Sequence, residues 1–166
     1  MNIPDYPMRV TARWLNPLED RAWRGFRRMF TVLEGRLARE LTEEMGLSMA
    51  DYTVLSNLVE ADQRTWRITE LAEHIQWSQS RLSHQIRRME KRGLVRREEA
   101  DEDGRGIVVV LTRDGLRTIA AAAPVHFQGV RRHMIDLLTP KQLEMLADIA
   151  DTVVEHIQSL DSTVDA

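Results

Sequence analysis

The chain has 166 residues, 43% of them apolar and 30% charged, with a formal net charge of −3 and no cysteine. That is enough apolar material for one well-buried core with helical extensions. The absence of cysteine excludes disulfides, thiolate nucleophiles, zinc ribbons and thiol-based oxidant sensing, and the mild acidity excludes a surface coated throughout in positive potential.

The opening residues, MNIPDYPMRVTARW, carry prolines and an acid where a secretory signal needs an apolar run, and no segment approaches the ~18 apolar residues of a membrane span. The expectation is a soluble, cytoplasmic protein without a membrane partner. Apolar residues then recur at helical spacing through Leu18, Ala22, Phe26, Phe30, Leu33, Leu37 and Leu41, which predicts one long helix ended by Gly46. Ser48 and Asp51 resemble a capping box with Asp in place of Glu, and Tyr52, Leu55, Leu58 and Val59 give the second helix its buried side. A polar connection over 62–67 follows.

Residues 68–75, ITELAEHI, predict a short third helix. Gln76 and Trp77 separate it from Ser78, a good N-cap for a further helix that Gly93 stops, so two helices meet across a tight turn in a helix-turn-helix layout. Residues 94–99 and 107–111 are β-prone and predict a hairpin whose tip is 101–106. Thr112 caps the next helix, which must bend or restart near Pro124, and Thr139, Pro140 and Gln142 open the last one with a capping box. Leu143, Leu146, Ile149, Ala150, Val153, Val154, Ile157 and Leu160 form its broad apolar face.

The fold class is therefore mostly α with a small β-hairpin wing: a winged helix-turn-helix region over 48–112, flanked by helices over 1–47 and 113–166. The flanking apolar stripes exceed what a small winged region can cover. They predict a symmetric homodimer, with packing of these helices on one another in a monomer as the alternative.

Charge is segregated. Between Ser78 and Arg97 there are seven basic residues (Arg81, Arg87, Arg88, Lys91, Arg92, Arg96, Arg97) against Glu90, whereas 139–166 is acidic apart from Lys141. On the helix after Ser78, Leu82, Ile86 and Met89 share the inward stripe. At roughly 100° per residue, Ser80, His84, Arg87 and Lys91 lie opposite, flanked by Arg81, Ser83 and Arg88. Short polar side chains suit base edges, and long basic ones suit guanine edges or phosphates. A charge run can also be a plain solvated face, but the tight turn before it and the hairpin after it favour double-stranded DNA. A winged module that binds protein instead of DNA is the rival reading.

In the tip DEDGRG, Arg105 is a probe for the minor groove and Asp103 a residue that can hold its guanidinium. The bland reading is a surface ion pair within the turn. A calcium loop is excluded because its twelfth position, counted from Asp101, is Thr112 and not Glu.

Together, ITELAEHI, SQSRLSHQIRRMEKRGLVRR, the DEDGRG wing and the VVVLTRDG exit resemble the MarR family of winged-helix transcriptional regulators, and the tryptophan-bearing WLNPLEDRAWRGF resembles its actinobacterial members. The resemblance implies a homodimer joined through its terminal helices that binds pseudo-palindromic operators, usually as a repressor. It also implies release from DNA when a small aromatic or anionic effector fills a crevice between the dimer helices and the winged domain. It places DNA contacts at Gln79, Ser80, Arg81, Ser83, His84, Arg87 and Arg88, and on the wing at Asp103 and Arg105.

For an effector, Trp14, Trp23, Phe26, Trp66 and Trp77 could line an aromatic crevice, with Arg24 or Arg28 to meet an anion. Ordinary helix packing of Trp23 and Phe26 is the competing reading. His126 and His133 lie seven apart and the other histidines are scattered, so no pair has the spacing of a helical metal site, which leaves a metal-responsive regulator as a lesser alternative. No nucleophile elbow, phosphate-cradling glycine loop or His-Glu-x-x-His motif points to an enzyme, and no cofactor is expected.

Overall fold

The computed structural model describes residues 13–100 and 106–162. Helix α1 (Pro17–Met45) starts where the Asn16 side chain accepts hydrogen bonds from the backbone N–H groups of Leu18 and Glu19, and the Glu19 carboxylate accepts one from Asn16 in return. It ends at Gly46, whose φ of 63° is the left-handed geometry that glycine adopts without strain. Helix α2 (Met49–Glu60) opens on the expected Ser48–Asp51 box.

The connection after α2 is more structured than its polarity suggests. A short 3-10 turn (Asp62–Arg64) leads into a strand, β1 (Thr65–Arg67), which pairs antiparallel with β3 (Ile107–Leu111), Trp66 opposite Val109. Strand β2 (Val95–Glu99) flanks β3 on the other side, so the order is β1-β3-β2 and the predicted hairpin is two-thirds of a sheet. Helices α3 (Ile68–His74) and α4 (Gln79–Lys91) stand where the helix-turn-helix was read.

Helix α5 (Arg113–His133) is capped by Thr112, whose hydroxyl accepts from the Gly115 N–H at 2.9 Å, and runs unbroken through Pro124. The expected restart is absent. Pro124 and Ala120, whose carbonyl loses its helical N–H partner, are both exposed, so solvent can satisfy that carbonyl. A 3-10 turn (Ile135–Leu137) then leads to α6 (Pro140–Ser162), opened by the Thr139–Gln142 box.

The core lies between α2, α3, α4 and the sheet, with Leu55, Leu71, Leu82, Ile86, Met89 and Val109 fully buried, closed by Leu41 of α1 and Ala122 of α5. Gly115 seats α5 directly on the backbone before β2: a β-carbon there would lie 2.0 Å from the Leu94 carbonyl oxygen. The stripe expected along α1 divides. Leu37 and Leu41 are buried, but Leu18, Phe26 and Phe30 are exposed, as are Ile149, Val153 and Ile157 on α6. Val59, expected inside, is also exposed, being at the outer edge of α2. Among the described residues no helix is long and apolar enough to cross a membrane.

Candidate nucleic-acid interface

Helix α4 owes its orientation to the turn before it. Gln76 takes a left-handed φ of 55°, the Trp77 N–H reaches back to the Ala72 carbonyl at 2.8 Å, and the Ser78 hydroxyl caps α4 by accepting from the Arg81 N–H at 3.2 Å. The chain thus reverses within a few residues, and α4 lies across α3 with Leu82, Ile86 and Met89 inward at 0% exposure. Gln79, Ser80, Arg81, His84, Arg87, Arg88 and Lys91 are exposed on the outer side, and Ser83 is half-buried at its flank. Every candidate of this helix therefore shares one outward surface.

The basic residues of this region fall into two groups. Arg92 is bound to Asp51 at 2.8 Å, Arg97 to Glu90 at 2.7 Å, and Arg96 to Glu98. The hydrogen bond from Arg97 holds the Glu90 carboxyl below its ordinary range against a smaller opposing effect of burial. Arg92 and Arg97 thereby tie the α4 region to α2 and β2, while Arg96 pairs within its own strand. Arg87 and Lys91, by contrast, meet no acid among the described residues. Arg81 lies over the Trp77 ring, 4.0 Å from its centroid, a cation–π contact that neutralises no charge. The uncompensated positive charge therefore concentrates on the outer strip. Asp103 and Arg105, the wing candidates, lie outside the described residues.

A family model described as "Transcriptional regulator SarA/Rot" matches residues 36–121. The transcriptional regulator HosA of Escherichia coli O127:H6 (strain E2348/69 / EPEC) is 32% identical over 132 residues, covering 80% of this chain and 93% of that one. The crystal structure of AbsC, a MarR family transcriptional regulator from Streptomyces coelicolor, superposes with a TM-score of 0.83 at 42% identity over 89% of this chain and 99% of that one. The chain belongs to the MarR family of winged-helix transcriptional regulators. A second MarR member from Streptomyces coelicolor, Sco3205, whose structure was solved in complex with DNA, matches at 39% identity and a TM-score of 0.84 over 89% of this chain and 92% of that one. As a MarR regulator the protein binds DNA and is not an enzyme.

Two polar groups of this MarR chain escaped the sequence reading. Gln85 sits on the inward stripe of α4 at 2% exposure and donates to Asp51 Oδ1 at 2.7 Å. Burial pushes the Asp51 carboxyl up, but hydrogen bonds from Arg92 and Ser48 outweigh it and leave it below the usual carboxylate range. Farther from α4, Glu40 of α1 is 6% exposed and meets His133 Nε2 at 2.8 Å and Arg36 Nε at 2.9 Å. His133 lowers the Glu40 carboxyl, burial opposes it, and Arg36 adds to the lowering. The only advance signals were a polar residue at an apolar position and an acid on the long helix.

Within one chain these five aromatics do not converge. Trp23 and Phe26 stack on each other at 6.2 Å on the exposed side of α1, Trp66 packs on His74 in the winged region, Trp77 supports Arg81, and Trp14 is 80% exposed. Aromatic content on separate elements carries no information about convergence. A hollow of about 400 Å³ lies elsewhere, between α1 and the end of α5, walled by Met29, Val32, Leu33, Met134, Leu137 and Leu138 with Arg36 and His133 at its polar side. Among the described residues no cluster of three or more His, Asp or Glu could hold a metal ion.

Proposed function

We propose that this MarR regulator acts as a homodimeric, ligand-responsive repressor on a pseudo-palindromic operator, with α4 in the major groove and the wing beside it. The observation that carries the reading is the outward strip of α4, where the cations left without acidic partners stand among short polar side chains. In this reading Gln79, Ser80, Ser83 and His84 approach base edges, Arg81, Arg87 and Arg88 reach guanine edges or phosphates, and Lys91 meets the backbone. Asp103 and Arg105 serve the adjacent minor groove. That Sco3205, 39% identical, was solved in complex with DNA supports the choice of DNA as the partner.

The functional division is 48–112 for DNA and 1–47 with 113–166 for dimerisation. The exposed apolar strips of α1 and α6 support that division, and Trp23 and Phe26 join the face the partner covers. The hollow is apolar, with the outer part of the Arg36 guanidinium, its Nε held by Glu40, at its polar side, which suits a small aromatic effector that carries one polar or acidic group. Selection of bound sequences from random duplexes, followed by footprinting, tests the whole. The expected product is an inverted repeat with half-sites about one helical turn, ~34 Å, apart, released by simple aromatic acids such as benzoate. Protection of one asymmetric half-turn overturns the dimeric reading, and indifference to aromatic acids overturns the effector class.

A further inference from the structure

Helix α4 is clasped to α2 by a chain of polar groups that passes through its buried side and emerges on its outer one. Gln85 occupies the inward stripe, and a buried primary amide is unfavourable unless both ends are bonded. Here both are: Nε2 donates to Asp51 Oδ1 at 2.7 Å, and Oε1 accepts from Arg88 Nη2. The amide has one orientation, because turned over it would set its NH2 against the guanidinium donors and its carbonyl against the carboxylate. Asp51 is itself pinned. Its Oδ2 accepts from Arg92 Nη1 at 2.8 Å, from Ser48 Oγ at 2.8 Å and from the Ser48 N–H at 3.0 Å. Gln85, Arg88 and Arg92 succeed one another at spacings of three and four, so one flank of α4 carries the whole clasp.

We propose that Gln85, oriented by Asp51, is a specificity-positioning residue that holds the Arg88 guanidinium aimed at one base pair of the operator. The proposal rests on the reading that α4 lies in the major groove. Guanine recognition by arginine needs two parallel N–H donors in a fixed plane, whereas a swinging guanidinium finds phosphates as readily as bases. Restraint before binding therefore converts a contact that contributes only affinity into one that discriminates. Arg87, the neighbouring cation, meets no such restraint among the described residues, so the two adjacent arginines differ in role.

The test compares wild type with Gln85→Met, Arg88→Ala, the double variant and Arg87→Ala, measuring Kd for the selected operator and for operators altered one base pair at a time. Methionine keeps the length and apolar fit of Gln85 and removes both hydrogen bonds. Gln85→Met and Arg88→Ala are each expected to lose roughly 10-fold discrimination at the same base pair, with the double variant losing no more than Arg88→Ala alone. Discrimination left intact by either single variant, or losses that add, overturns the proposal. Should Gln85→Met not fold, ¹⁵Nε relaxation in the free wild-type protein decides: an Arg88 side chain stiffer than Arg87 supports it, and equal mobility overturns it. Arg87→Ala separates the two layers of argument. If it and Lys91→Ala leave binding unchanged, the groove reading falls and this proposal with it; if Arg87→Ala weakens binding while the other losses add, only the positioning role falls.

Discussion

Gly129 of α5 faces Glu40 of α1 so closely that a β-carbon on it would lie 2.8 Å from the Glu40 carboxylate, and equally close to a methyl of Leu37. The missing side chain is what lets the two helices cross with a buried acid between them. Gly129→Ala is therefore expected to lower stability by ~1–3 kcal/mol through overpacking. Gly25→Ala on open α1 surface, with nothing within 4 Å, is expected to raise it by ~0.4–1 kcal/mol. Urea denaturation at matched protein concentration compares them, and a Gly129→Ala midpoint at or above wild type contradicts the crossing.

Asp51 joins α2 to α4 as an ionised group, and that makes its contribution dependent on pH. Its carboxyl is held below the ordinary value of 3.8 in the folded protein, so its stabilisation is fully present above that value and is lost as pH falls through the folded one. Asp51→Asn removes the charge and sets an amide NH2 against one of two donors, Arg92 or the Gln85 amide, which is expected to cost ~1.5–3 kcal/mol at neutral pH. The gap between variant and wild type should narrow on acidification below about pH 4. Thermal unfolding across a pH series checks this, and a constant gap would show that shape, not charge, is what Asp51 supplies.

What could be read in advance was what local chemistry determines. Ser48, Ser78, Thr112 and Thr139 cap the helices they were expected to cap, because a cap is a contact between residues three apart. The inward stripe of α4 followed from its spacing. Strand β1 was missed because three residues are too few for alternation to declare itself, and its pairing with β3 spans more than forty positions. Gln85 was invisible for the same reason: its partner Asp51 is 34 residues away, so nothing nearby distinguishes a clasp from a misplaced polar residue. The stripe of α1 was legible as a stripe, but periodicity does not say what covers it.

Ion pairing divides the basic residues into two classes that salt should separate. Lys91 is exposed and meets no acid among the described residues, whereas Arg97 is bound to Glu90 at 2.7 Å. Lys91→Ala is expected to weaken binding to all sequences alike and to reduce the slope of log K against log salt by about 1. Arg97→Ala is expected to change that slope far less. Titrations of operator and unrelated duplex at several salt concentrations give both numbers, and equal slopes for the two variants would contradict the division.

Ser80 and His84 stand exposed on the N-terminal half of α4, where in the proposed docking they approach base edges and not phosphates. Replacing either is expected to alter which base pairs are preferred while leaving the salt slope within experimental scatter, since base-edge contacts displace no counterions. Repeating the duplex selection with Ser80→Ala and His84→Ala reads this directly. An unchanged consensus for both would move base reading off the N-terminal half of α4.

On α6, Ile149, Val153 and Ile157 follow one another at intervals of four with exposures of 56%, 51% and 52%, an unbroken apolar strip along one side of the helix. Exposed Leu18, Phe26 and Phe30 give α1 a similar strip. Surfaces of this kind mark association sites, and a second copy covers both at once if the two ends of the chain pack against their symmetry mates. Two glutamates at Ile149 and Val153 would each bury an unpaired charge in that interface, a cost of several kcal/mol. The double variant is expected to sediment as one chain where wild type sediments as two, and to bind the operator more weakly because its half-sites are no longer engaged by linked heads. Its winged core should survive, because Leu55, Leu82 and Val109 are buried without help from α6. A wild-type mass of one chain, or a double variant that still sediments as two, would require another cover for these strips.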